Sequence, residues 1–272
     1  LKADDEQILE VNNEMLELMK YTKEDVLGKK INNSKIWIDL EQPAKIIEDV
    51  KMGNEVNGLE IELIDKNGMT VYGLFSAVLI NLEGEHIVIC TLKDIGEIKK
   101  LKEELKDMAT HDGLTNLPNR VQFYDYFEKQ AARVSRSEDE QLAVVMMDLD
   151  SFKQVNDEYG HDMGDKVLIG TADKLTKFVR KGDIAARLGG DEFAILLNVR
   201  DKAEAVQAMS RLREIFSSPI TAEGKEFIMS FSIGVAMYPV NGTKIDELLK
   251  KADAAMMAVK KSGKNAVRFA KE

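Results

Sequence analysis

Apolar positions along the first part of the chain change period. In residues 12–30, NNEMLELMKYTKEDVLGKK, they recur at helical spacing, with Thr22 and Asp25 spaced as a capping pair and Gly28 as a stop. Residues 58–95, GLEIELIDKNGMTVYGLFSAVLINLEGEHIVICTLKDI, form alternating or continuously apolar runs broken at Asn67-Gly68 and Glu83-Gly84, two hairpin signals. The prediction is a small antiparallel sheet with a helical cover. From Ile95 to Met108 the chain becomes a charged helix carrying Ile98, Leu101, Leu105 and Met108 at coiled-coil spacing. With fewer than two heptads, the stripe reads either as a packed helix face or as a dimer seam.

Beyond Asn119 helices and strands alternate. A helix in VQFYDYFEKQAARVSR precedes a strand LAVVMMDLD and a helix GDKVLIGTADKLTKFVRK. A hairpin around ARLGGDEFAILL, a helix KAEAVQAMSRLREIF and a strand FIMSFSIGVAMYP follow. The last helix carries Ile245, Leu248, Leu249, Ala252, Met256 and Val259 at helical spacing, with Thr243 as the expected N-cap and Gly263 as the stop. Met256 and Met257 are expected in the core. This second part is a mixed α/β domain built on one sheet.

Composition narrows the class. The 272 residues, 44% hydrophobic and 32% charged, suit a globular chain of about two domains. A net charge of −10 excludes a general nucleic-acid or anionic-membrane surface, so any phosphate site is small and local. The single cysteine, Cys90, excludes an intramolecular disulfide and a cysteine-based zinc cluster, and its apolar setting in HIVICTL predicts a buried, inert thiol. No apolar run approaches a membrane span, and there is no signal-peptide pattern. The expected location is the cytoplasm, or the cytoplasmic portion of a longer protein whose membrane anchor would lie upstream of Leu1.

The residues with chemistry gather where strands end. Asp148 and Asp150 close one strand, and Asp191 and Glu192 occupy the hairpin turn. If the two strands are neighbours, the carboxylates converge at one edge, and such all-oxygen donors suit magnesium shared with substrate phosphates. Asp148 and Asp150 are expected to face apart, with Asp148 toward the metal and Asp150 in a structural role. The turn at Ser151-Phe152 offers backbone amides to an anion, and Lys153 adds charge. No Gly-rich Walker loop is present, so this is not P-loop chemistry. Asn156 and Asp165 supply an amide and a carboxylate that match the donor edge of guanine and would reject adenine by leaving polar groups unpaired. Each piece taken alone has a plainer explanation as a turn or a helix cap.

In combination these segments resemble known families. ILEVNNEMLELMKYTKEDVLGK and LKDIGEIKKLKEEL make residues 1–97 similar to a PAS sensor domain. HDGLTNLPNR, DLDSFKQVNDEYGHDMGD, RLGGDEF and ADAAMMAVKKSGKN resemble the GGDEF domain of diguanylate cyclases. The implied organisation is a sensor over 1–97, a linker helix over 98–110 and a cyclase domain over 111–272. The implied fold class is α/β (α+β): a small antiparallel PAS sheet, then a polymerase-palm or nucleotidyl-cyclase-like central sheet covered by helices. The implied reaction condenses two GTP into cyclic di-GMP and two pyrophosphates.

By that resemblance Asp148, the Leu149 carbonyl, Asp191 and Glu192 would hold Mg²⁺ or Mn²⁺. Asp191 would be the favoured group to activate the 3′-hydroxyl. An aspartate of ordinary acidity is a poor base at neutral pH, so metal-assisted ionisation and a water relay stay open. Asn156 and Asp165 match guanine-binding positions. Ser151, Phe152, Lys153, His161, Lys260 and Lys264 fall at or near substrate contacts, with a structural turn as the alternative for His161. Lys264 stands where the family often has Arg, giving a phosphate a point charge instead of a fork. Asn116 replaces a frequent Gly. Arg180 and Asp183 form an Arg-x-x-Asp pair at the family's inhibitory product site, with Arg187 and Arg211 as further contributors; the plainer reading is a helix-end charge and a turn.

A cyclic dinucleotide needs two such domains face to face, so a homodimer through the linker helix and the sensor domain is expected. The rival from another class is a non-catalytic cyclic di-GMP receptor, and a third reading is a GTP-binding module tuning a partner. An altered GGDEF motif would favour the receptor; here the motif is intact. The sensor's ligand is not specified by its residues: DVLGKKINNSKIW lacks the cysteine-bearing flavin signature, His86 reads as a surface residue and not a haem ligand, and Trp37 and Phe75 read as core.

Overall fold

A computed structural model describes residues 1–31, 36–39, 41–137 and 139–271. Part of DVLGKKINNSKIW, residues 32–35, lies outside them, so the expectation about a flavin signature has no structural counterpart. The chain divides into two compact units, Leu1–Leu105 and Lys106–Glu272.

In the first unit the expected helical stretch is two helices. α1 (Asn13–Met19) starts where Asn12 accepts a hydrogen bond from Met15 N, and it ends because Lys20 turns left-handed at φ 59°. α2 (Lys23–Val26) begins at the Thr22/Asp25 capping box anticipated from spacing. After α3 (Gln42–Lys51) come β1 (Val56–Ile64), β2 (Thr70–Leu82) and β3 (Glu85–Asp94), an antiparallel meander in the order β1-β2-β3. Its turns fall at the two predicted Gly-containing breaks. Phe75, Ala77 and Val88 face the helices, and Trp37 meets Phe75 edge to face at 6.1 Å between ring centroids. Among the described residues the Trp37 indole N–H has no hydrogen-bond partner. His86 is exposed, and Cys90 is half-buried, burial pushing its thiol up to about 11.

The linker is α4 (Gly96–Thr110), whose first N–H is capped by Asp94 Oδ1 at 2.7 Å. Its apolar stripe is open to solvent: Ile98, Leu101, Leu105 and Met108 are 56%, 50%, 65% and 77% exposed. It is not the packed helix face that the pattern allowed.

The second unit runs α5 (Arg120–Val134), β4 (Gln141–Leu149), α6 (Phe152–Tyr159), α7 (His161–Phe178), β5 (Ile184–Gly189), β6 (Glu192–Val199), α8 (Lys202–Ser217), β7 (Ile220–Ala222), β8 (Lys225–Phe227), β9 (Phe231–Tyr238), α9 (Ile245–Lys261) and β10 (Val267–Phe269). Five strands form one sheet in the order β10-β9-β4-β6-β5, antiparallel except for β10 beside β9. Alternation along β4 divides its side chains between two cores. Ala143, Val145, Met147 and Leu149 pack with α7 and α8. Leu142, Val144 and Met146 pack with α5 and α9. The result is a helix–sheet–helix sandwich in which β4 is central and apolar from Leu142 to Met147, just before Asp148.

Two sequence expectations about α9 change. The helix starts at Ile245 after Lys244, one residue past the expected cap, and no side chain caps it. Met256 is fully buried, but Met257 is 38% exposed because it faces away from the sheet. The helix lies very close to β9: a Cβ on Gly234 would come within 2.5 Å of Met256 N and run into the Ala252 carbonyl. Backbone cannot yield as a flexible side chain does. Gly234→Ala should therefore destabilise the full chain by about 2 kcal/mol, read as a lowered urea midpoint; an unchanged midpoint would show that α9 can lift freely.

Candidate active site

The register of β4 against β6 builds the site. Asp148 pairs directly with Glu192, so two carboxylates from different strands meet at the sheet's end, and Asp191 sits in the turn beside them. The turn is tight because Gly189 and Gly190 adopt φ 148° and 53°, which a side chain resists. Leu149 N donates to the Asp191 carbonyl at 3.4 Å, tying the end of β4 to this turn.

Asp148 is almost sealed, its side chain 8% exposed. Burial pushes its carboxyl above the ordinary value, and the negative charges of Asp191 and Glu192 push the same way. The opposing influence is Lys260, whose ammonium lies 2.6 Å from Asp148 Oδ2.

The expectation that Asp148 and Asp150 face apart is not met: positions two apart along a strand share a face. Asp150 bonds Ser232, the residue paired across from Asp148 on β9. Their partners separate them instead. Asp150 is buried and accepts from Ser232 Oγ at 2.6 Å, Ser230 Oγ at 3.0 Å and Asn265 N at 3.0 Å. That is a structural use, as anticipated, and it anchors the loop carrying Lys264.

The other predicted residues lie on the two helices after β4 and on the loop after α9. Ser151 takes a left-handed conformation, φ 63°, and starts α6, whose first side chain, Phe152, is buried while Lys153 is exposed. Lys264 Nζ reaches Ser151 Oγ at 3.1 Å. Asn156 lies where α6 meets α7, its side-chain oxygen packed so tightly on Gly164 that no Cβ fits there. Asp165, the next residue of α7, is exposed and free to face a base. His161 opens α7 and is also exposed.

The donor set suits a hard divalent cation: carboxylate and carbonyl oxygens, densely negative and half-buried. Among the described residues no three or more His, Cys, Asp or Glu side chains gather as a group that could hold a metal ion.

Arg180, Asp183 and Arg211 border one cavity of about 290 Å³ together with Asn198 and Glu204. Arg180 follows α7 and donates to the Asn198 carbonyl at 2.7 Å and to Glu204 at 3.3 Å, and it pairs with Asp183 at 3.4 Å. Asp183 accepts from Asn198 N at 2.9 Å. Arg211 stacks its guanidinium over Phe178 at 5.6 Å.

Arg187 does not line this cavity. β5 carries it to the GGDEF turn, where its Nε donates to the Gly190 carbonyl and its Nη1 to Asp112, each at 2.9 Å. Burial alone would raise Asp112, but hydrogen bonds from Thr115 and Arg187, with the charge of Arg187, hold it below the usual carboxylate range. The same loop is joined to the end of α4, because Asn119 Nδ2 donates to the Ala109 carbonyl at 3.0 Å. Sequence reasoning missed this clamp. Its one signal was an acid in HDGLT and a base in RLGGDEF with no assigned partners.

Comparison with known proteins identifies relatives for both parts of the chain. Residues 109–266 match the family described as diguanylate cyclase, GGDEF domain, and residues 1–97 match the PAS domain family. The bifunctional diguanylate cyclase/cyclic di-GMP phosphodiesterase MucR of Pseudomonas aeruginosa is 42% identical over 63% of this chain and 25% of its own length. Diguanylate cyclase DgcM of Escherichia coli is 36% identical over 69% of this chain and 45% of its own. This chain thus spans from a quarter to under half of these relatives. The coiled coil and GGDEF domain of DgcB from Caulobacter crescentus, solved in complex with c-di-GMP, superposes with a TM-score of 0.57 at 27% identity, covering 65% of this chain and 93% of that one. With the carboxylates, the glycine turn and both domain matches in agreement, the chain belongs to the GGDEF-domain diguanylate cyclase family and carries a PAS domain ahead of that module.

Proposed function

We propose that this protein condenses two GTP molecules into cyclic di-GMP and two pyrophosphates. The observation that carries the reading is the intact Gly-Gly-Asp-Glu-Phe turn, which sets Glu192 opposite Asp148. Asn156 and Asp165 lie at the α6–α7 junction, where a guanine edge would meet an acceptor and a carboxylate. Ser151 and Phe152 backbone amides, with Lys153, Lys260 and Lys264, would orient the phosphates. Asp148, the Leu149 carbonyl, Asp191 and Glu192 would hold Mg²⁺ or Mn²⁺, and a divalent cation bound there neutralises charge developing on the α-phosphate and pyrophosphate. Asp191, in the turn, would accept or relay the proton of an incoming 3′-hydroxyl.

One domain binds one GTP, and each 3′-hydroxyl must attack the other nucleotide's α-phosphate, so the reaction needs two domains face to face. The exposed stripe on α4 is a suitable seam for a homodimer, and the sensor domain would set how often the two sites meet. Holding two reactants in register is worth several kcal/mol, so a modest reorientation is enough to switch the rate. The Arg180–Asp183–Arg211 cavity favours a further role as an inhibitory product site, because arginine forks match phosphates and guanine edges. The same cavity would serve a cyclic di-GMP receptor without catalysis.

Incubating the purified chain with GTP and Mg²⁺ should yield cyclic di-GMP. Asp191→Asn should lower the yield about a hundredfold, the scale of losing one charge contact in a transition state. Binding of cyclic di-GMP without any synthesis would select the receptor. Arg180→Ala should keep synthesis and raise the product concentration needed for inhibition about tenfold; unaltered inhibition would remove the cavity from the regulatory scheme. Leu101→Asp with Leu105→Asp should depress synthesis at an unchanged circular dichroism spectrum, and full specific activity in that variant would rule out the α4 seam.

A further inference from the structure

The Lys260 ammonium is held on the carboxylate that a divalent cation would use. Its distance to Asp148 Oδ2 is 2.6 Å, and the carboxylate is nearly sealed from solvent. α9 delivers Lys260 from its last turn, where unpaired carbonyls favour a cation. The close approach of α9 to Gly234 fixes how far the helix stands above the sheet. The other charges acting on Asp148 are the acids Asp191 and Glu192, so Lys260 is the counter-charge of an acidic cluster. Lys264, the second basic residue near the phosphate positions, is held on Ser151 Oγ by a weaker, neutral contact.

Two cations cannot share one carboxylate oxygen at such distances without strong repulsion. A metal ion drawn to Oδ2 must displace Lys260, and one bound at Oδ1 would still meet the charge of that ammonium across the same carboxylate, a repulsion relieved when the lysine finds another anion within reach of its stem. We infer that Lys260 and the divalent cation compete for Asp148, so that the site takes metal tightly only when nucleotide phosphates arrive with it and receive the lysine. This rests on the cyclase reading for the identity of the nucleotide. The consequence is an ordered site: Mg²⁺ and GTP bind as a unit, and metal alone is held weakly.

The test measures binding, not turnover. Free Mn²⁺ is followed by electron paramagnetic resonance with the full chain, first without nucleotide and then with α,β-methylene GTP, which cannot react at the α–β bridge. Lys260→Met should bind Mn²⁺ alone about tenfold more tightly than the native chain, the factor equal to about 1.4 kcal/mol. Asp148→Asn added to Lys260→Met should erase that gain. With the GTP analogue the sign should reverse, Lys260→Met binding nucleotide more weakly. Lys260→Gln, which retains a polar head without charge, should repeat both effects, and Lys260→Arg, which keeps the charge, should bind Mn²⁺ alone no more tightly than the native chain. A native-like circular dichroism spectrum combined with unchanged or weaker Mn²⁺ binding in both neutral variants would overturn the competition. Undiminished nucleotide affinity would overturn the handover. Failure of the cyclase reading would show separately, as absence of cyclic di-GMP from the native chain.

Discussion

Like charges gathered at the end of a sheet set the terms for this domain. The pairing of β4 with β6 puts Asp148 directly against Glu192, and the glycine turn adds Asp191. Such a cluster is unfavourable unless a cation compensates it, and the helix on that face ends in a lysine placed to do so. The helix that brings this lysine is itself seated by apolar packing on the sheet.

The acidic end of the sheet and the arginine-rich cavity share a strand. Glu192 opens β6, whereas Leu197, Asn198 and Val199 at its other end line that cavity. Four residues stand between Glu192 and Leu197, a separation of about 17 Å at the usual rise of about 3.3 Å per residue.

Much of this was legible in the chain, for identifiable reasons. Strand alternation and Gly-containing breaks are local, so the meander of the first unit and the hairpin around the glycines followed directly from spacing. Asp148 stands where one apolar run ends and Glu192 where the next begins, so the two could be brought together on the condition that their strands are neighbours. What escaped was non-local. Arg187 was grouped with Arg180 by nearness in sequence, yet β5 carries it to Asp112, some seventy-five positions away in the chain. The serine cradle of Asp150 needed the register of β9, which no periodicity announces. The break between α1 and α2 depended on Lys20 adopting a left-handed conformation, a state that residue type does not favour. The short β7–β8 hairpin and β10 are three residues each, too brief for a pattern to register.

Gly234 gives the arrangement a different kind of security. The spacing between α9 and β9 is set where main-chain atoms meet main-chain atoms, not where side chains interlock. A side chain at this one position would push the helix that carries Lys260 off the strand that runs beside Asp148.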